Sequence, residues 1–87
     1  MPSRLTWTLV AWEDYLFWQQ HERKQLKRVN RLIRDCMRSP FEGIGKPEPL
    51  RENLSGFWSR RIDEEHRLVY TVDGDALVIL ACRYHYE

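Results

Sequence analysis

The run Ala76-Leu77-Val78-Ile79-Leu80-Ala81-Cys82 constrains the fold more than any other stretch of this chain. It carries no charged or hydroxylated side chain, and it follows Asp73-Gly74-Asp75, a strong signal for a β-hairpin. A strand that is apolar at successive positions has no solvent-facing side. Residues 76–86 are therefore expected to form a central strand covered on both faces. The hairpin partner is 66–72, and 57–63 reads as a third strand, joined to it through a turn at Asp63-Glu64-Glu65.

Such a sheet needs a cover, and the first half of the chain supplies it. Residues 4–8 alternate, with Leu5 and Trp7 on one face, as a short strand does. Thr8 is placed to cap a helix over 9–20, in which Leu9, Trp12, Leu16 and Gln19 recur at helical spacing. Residues 23–38 form the clearest helix, with Leu26, Val29, Ile33 and Cys36 as one apolar stripe. Residues 39–56 hold three of the four prolines and three of the four glycines, and read as a long loop. With 87 residues the chain is one domain, 1–87, of α+β class: two N-terminal helices packed on a twisted antiparallel sheet. A domain of this size buries only about 60–65% of its unfolded surface, which four tryptophans, four tyrosines and three phenylalanines help to offset.

The formal net charge is only +1, which argues weakly against a strong nucleic-acid binder. The distribution argues the other way. Lys24, Lys27, Arg28, Arg31, Arg34 and Arg38 cover the second helix outside its apolar stripe, with Asp35 its one acid, and such a field attracts a polyanion. An acidic protein or plain solvation would satisfy the same charges. No stretch approaches the ~20 apolar residues of a membrane span. The opening residues lack the apolar run of a secretory signal, so the cytoplasm is the expected compartment and Cys36 and Cys82 are expected as reduced thiols.

The histidines and cysteines show no metal-ligand spacing, no glycine loop suits phosphate, and no activated serine or cysteine is suggested. What remains is Glu48, Arg61, Arg67, His85 and Tyr86. Pro47 and Pro49 stiffen the backbone around Glu48. Arg61 and Arg67 flank a short turn, so antiparallel pairing can set them side by side. Two adjacent cations repel, and a phosphate between them relieves the repulsion by accepting from both forks. Glutamate as base, histidine as acid and two arginines suffice for metal-free RNA cleavage. Strand parity sets a condition. Arg67 and His85 share a face only if the hairpin loop has an odd number of residues, as Asp73-Gly74-Asp75 would give, or if a bulge restores the placement.

The runs PFEGIGKPEPLRENLSGFWSRRIDEEHRLVY and ACRYHY, with DYLFW in the first helix, closely resemble the YoeB (Txe-type) toxins of bacterial toxin–antitoxin modules, within the RelE/ParE superfamily. The resemblance covers nearly the whole chain. It implies a fold like that of microbial ribonucleases, and an mRNA interferase that enters the ribosomal A site and cuts the exposed codon. Glu48 matches the family's general base, His85 its general acid, Arg67 the arginine supporting the reacting phosphate and Tyr86 the C-terminal tyrosine. Lys46 and Arg61 match basic residues near the substrate path. The resemblance also implies a YefM-type antitoxin, the 70S ribosome with its mRNA, and a homodimer, with no cofactor. On that reading Lys24, Lys27, Arg28, Arg31 and Arg34 grip ribosomal RNA. One departure is Glu87, an acid added beyond the terminal tyrosine of familiar members. The competing expectation is a non-enzymatic inhibitor, as ParE-like relatives of this fold are. Glu48 together with Arg67 and His85 separates the two, since a pure binder needs no acid/base pair around a phosphate clamp.

Overall fold

The computed structural model describes residues 1–84. Strand β1 (Arg4–Trp7) leads through Thr8 into helix α1 (Leu9–His21), and helix α2 (Arg23–Arg38) follows after Glu22. A loop then carries a two-residue strand, β2 (Glu48–Pro49), and a single 3₁₀ turn (Glu52–Leu54). Strands β3 (Trp58–Arg61), β4 (Arg67–Asp73) and β5 (Ala76–Ala81) complete one five-stranded sheet, in the order β1-β5-β4-β3-β2.

The expected α+β architecture is present, with one correction. The sheet is mixed, because β1 runs parallel to β5 in the register Arg4↔Ala76 to Trp7↔Ile79. Alternation in a short strand reports which residues face inward but says nothing about direction. Here direction follows from where β1 begins. The N–H groups of Ser3 and Arg4 both donate to the Asp75 carbonyl, at 2.8 and 3.0 Å, and so dock the chain start beside the β4–β5 turn.

The helices cover one face of the sheet. Val29, Leu32, Ile33 and Cys36 of α2 meet Leu68 and Tyr70 of β4 and Leu77 and Ile79 of β5, all buried. The α2 stripe follows the sequence reading, with Leu32 added and Leu26 only half-buried. In α1 the row Leu9–Trp12–Leu16–Gln19 is not the buried one. Ala11 and Trp18 are buried, while Leu9 is 83% and Trp12 43% exposed. Apolar and aromatic residues are spread almost all round α1, so spacing alone cannot select a face. The selection is made by polar anchors. Thr8 Oγ1 accepts the Ala11 N–H (3.1 Å) and donates to the Leu80 carbonyl (2.9 Å), and Trp18 Nε1 donates to the Cys82 carbonyl (2.7 Å).

The other face of the sheet is uncovered by any helix, so β5 is not enclosed on both sides as its apolar run suggests. Val78 and Leu80 stay half-buried there, and Leu80 lines a shallow apolar groove of about 260 Å³ with Val10, Leu54, Phe57 and Val69. Strand β5 also ends earlier than expected, at Ala81. The reason lies in Cys82, whose N–H donates to Asp14 Oδ2 (3.0 Å) and whose carbonyl accepts from Trp18. Both backbone groups turn to α1, so Cys82 leaves the ladder.

Candidate active site

The uncovered face carries the charged residues singled out in the sequence. Glu48 pairs with Ser59, Ser59 with Val69, and Arg61 with Arg67. Since side chains at paired and alternate positions share a face, Glu48, Arg61 and Arg67 all project from the side opposite the helices. Arg61 and Arg67 stand directly opposite one another, about 5 Å apart at Cβ, and Glu48 lies diagonal to Arg61 at about 7–8 Å. Two strand spacings and a two-residue rise put Glu48 about 12 Å from Arg67 at Cβ, a gap their side chains can bridge through a phosphate.

The register of the β4–β5 hairpin is not one that local sequence shows. Asp73 pairs with Ala76, so the hairpin loop is the two-residue Gly74-Asp75, which alone would set the strand ends out of phase. The register then shifts: Tyr70 pairs with Ile79 but Val69 with Ala81. Leu80 is thus a one-residue bulge, which sets Ala81 on the same face as Val69. Beyond it, the Arg67 N–H donates to the Tyr84 carbonyl at 2.7 Å. His85, Tyr86 and Glu87 lie outside the described residues.

Arg67 is held by its own turn. Its Nη1 donates to the carbonyls of Asp63 (3.0 Å) and His66 (3.3 Å), leaving Nε and Nη2 without an intramolecular acceptor among the described residues. The turn is organised by Asp63, whose Oδ1 accepts the N–H groups of Glu65 (2.8 Å) and His66 (2.7 Å), and whose Oδ2 accepts from Gln25 of α2. Burial raises the Asp63 pKa, but the N–H donors of His66 and Glu65 outweigh it and leave the carboxyl below its ordinary value.

Glu48 and Lys46 are exposed, on a loop that needs an internal tether. Arg60, unremarked in the sequence, supplies it. Its side chain points into the helix-covered core with no exposed surface, and all five N–H donors have acceptors. Nε donates to Tyr70 Oη (3.1 Å); Nη1 to Asp35 Oδ2 (2.6 Å) and the Ile44 carbonyl (3.0 Å); Nη2 to the carbonyls of Ser39 (2.6 Å) and Glu42 (3.0 Å). Tyr70 Oη in turn donates to the Pro40 carbonyl at 2.6 Å. The 39–45 loop is therefore wrapped around one guanidinium. Two glycines allow the wrap. A Cβ on Gly43 (φ +129°) would sit 2.0 Å from Asp35 Oδ2, and one on Gly45 (φ +80°) 2.7 Å from Leu32 Cδ2. The Arg60 guanidinium beside Asp35 holds that carboxyl below the usual carboxylate range. Alternation along β3 could have exposed Arg60 as unusual, since it lies between inward-facing Trp58 and Ile62.

The basic helix divides in two. Lys24, Lys27, Arg31 and Arg34 are exposed and have no ion-pair partner among the described residues. Arg28 is half-buried, with Nη2 on the Arg61 carbonyl (3.0 Å) and Nε on the Ile62 carbonyl (3.3 Å). It braces the strand end that carries Arg61.

Residues 7–86 match the family model for the YoeB-like toxin of bacterial type II toxin-antitoxin system. The chain belongs to that family. It is similar to Toxin YoeB of Escherichia coli K12, 61% identical over 83 residues that cover 95% of this chain and 99% of the relative. Among solved structures it is similar to a YoeB/ParE toxin from Agrobacterium tumefaciens, with TM-score 0.93 and 49% identity over 95% of this chain and 99% of that one. It is likewise similar to YoeB of Staphylococcus aureus, solved as a dimer and in a heterotetrameric YoeB–YefM toxin–antitoxin complex, with TM-score 0.88 and 49% identity over 95% and 97%. No helix among the described residues is long and apolar enough to cross a membrane.

Proposed function

We propose that this member of the family is a ribosome-dependent endoribonuclease that cuts mRNA in the A site through its own acid, base and arginines. The observation that carries this reading is the order of groups across the uncovered face. Glu48 is on β2, Arg61 on β3 and Arg67 on β4, and the chain runs on from β5 to His85. In-line displacement at phosphorus needs a base and an acid on opposite sides, with positive charge between them. Glu48 takes the 2′-hydroxyl proton, and the freed oxygen attacks the adjacent phosphorus. Arg61 and Arg67 hold the equatorial oxygens of the pentacoordinate phosphate, Lys46 steers the strand, and Tyr86 orders the leaving side. His85 protonates the departing 5′-oxygen. The products are a 2′,3′-cyclic phosphate and a 5′-hydroxyl end.

The exposed Lys24, Lys27, Arg31 and Arg34 offer a counter-charge for ribosomal RNA. The S. aureus structures support a homodimer and a YefM-type antitoxin as partners. The work would be done in the cytoplasm, where the ribosomes are. The test is to add the protein to translating ribosomes and map the mRNA ends. Glu48→Gln and His85→Gln should bind and cut about 10²- to 10⁴-fold more slowly. A message with hydrogen in place of the scissile 2′-hydroxyl should survive. Cutting of that message would overturn the mechanism, and ribosome stalling with intact mRNA would favour a non-enzymatic inhibitor.

A further inference from the structure

We infer that His66 is a positioning residue for the C-terminal catalytic segment, acting as a hydrogen-bond acceptor through Nδ1. The inference rests on the reading of His85 as general acid. Tyr84, the residue before it, has φ +62°, a left-handed conformation that an aromatic side chain adopts only under constraint. The constraint acts on both sides of the residue. The Tyr84 N–H donates to His66 Nδ1 at 2.7 Å, and the Tyr84 carbonyl accepts the Arg67 N–H at 2.7 Å. A ring nitrogen that accepts carries no proton, so a neutral His66 bears its hydrogen on Nε2, the nitrogen facing Glu65 Oε1 at 3.6 Å.

His66 is itself held firmly enough to serve. Its N–H is bound by Asp63 Oδ1, and its carbonyl accepts from Ile62 N–H at 2.9 Å. Its ring stands edge-on to buried Trp18, with centroids 4.9 Å apart. Trp18 also holds the Cys82 carbonyl. The turn that aims Arg67 and the segment that leads to His85 are therefore locked together by one imidazole. A packing residue at position 66 would fill the space beside Trp18 but would leave the Tyr84 N–H without this acceptor.

Three substitutions separate accepting from packing. Asparagine places an oxygen near the position of Nδ1, glutamine places its amide one carbon further out, and alanine has no acceptor; all three remove the ring from Trp18. In the wild-type protein the His66 Nδ1 nitrogen should show the resonance of an unprotonated ring nitrogen. In His66→Ala and His66→Gln the Tyr84 amide should exchange roughly three- to tenfold faster, the gain expected from losing one hydrogen bond. Single-turnover cleavage at saturating ribosomes should fall by at least the same factor, with half-saturation unmoved. His66→Asn should keep both near wild type. Unchanged Tyr84 exchange in His66→Ala would overturn the inference. So would His66→Asn protecting Tyr84 yet cutting as poorly as His66→Ala. Wild-type protein that does not cut, combined with lost Tyr84 protection in His66→Ala, would sink the catalytic reading while leaving the contact established.

Discussion

Replacing Arg60 with methionine should cost this domain a large part of its stability, although methionine fits the space and is more apolar. The substitution takes the guanidinium donors from Tyr70 Oη, from the carbonyls of Ser39, Glu42 and Ile44, and from Asp35 Oδ2, which keeps only the Ile44 N–H. Removing one partner of a buried ion pair costs about 3–5 kcal/mol. Summing the five bonds at about 1.5–3 kcal/mol each would overshoot, because freed carbonyls in a loop can turn to water. Asp35 is one-fifth exposed and can recover part of its hydration, which places the expectation near the lower end, about 3 kcal/mol. At roughly 0.05–0.15 kcal/mol per residue the whole domain has about 4–13 kcal/mol. Urea denaturation should show the midpoint falling by a quarter or more of its value, and the melting temperature should drop by at least about 12 °C. Residues 39–45 should also become protease-sensitive, because their carbonyls are what the guanidinium gathers. A loss below about 1 kcal/mol with an intact loop would refute this account of how the segment leading to Glu48 is held.

Asp35 and Asp63 both have carboxyls below the ordinary range, so their stabilisation is complete above the unfolded pKa and lost as pH falls through the lower folded value. Asp35→Asn should therefore flatten the acid side of the stability–pH curve below about pH 4, and an unchanged acid limb in thermal melts would refute the assignment. Burial pushes the Cys36 thiol up to about 11 and the Cys82 thiol up to about 12, so alkylation at pH 8 should be slow in the folded protein and rapid in urea; fast native labelling by mass spectrometry would contradict that burial. Neutralising Lys24, Lys27 and Arg31 together should weaken ribosome binding and reduce its salt slope with little change in melting temperature. Arg28→Ala should instead destabilise by about 1–2 kcal/mol, because it frees two carbonyls at the end of β3; the reverse pattern would mean that the two groups have been misassigned.

The local code was legible wherever a few consecutive residues decide the outcome. Asp73-Gly74-Asp75 between apolar runs specifies a hairpin, Thr8 caps α1, and the stripe through Val29, Ile33 and Cys36 orients α2. The motif runs around Glu48, Arg61 and Arg67 identified the family, and strand pairing alone sets Arg61 against Arg67. Other features depend on partners far away in the chain. The direction of β1 comes from Asp75, more than seventy residues away, and the buried face of α1 from Leu80 and Cys82. The Leu80 bulge shifts the pairing from Tyr70 with Ile79 to Val69 with Ala81, a change of register that depends on both strands at once. Alternation along β3 places Arg60 on the inward side with Trp58 and Ile62, but only the closed fold brings Asp35, Tyr70 and the loop carbonyls around it. Periodicity records which side chains avoid water, whereas direction, register and the partners of a buried charge are set by what those side chains meet once the sheet has formed.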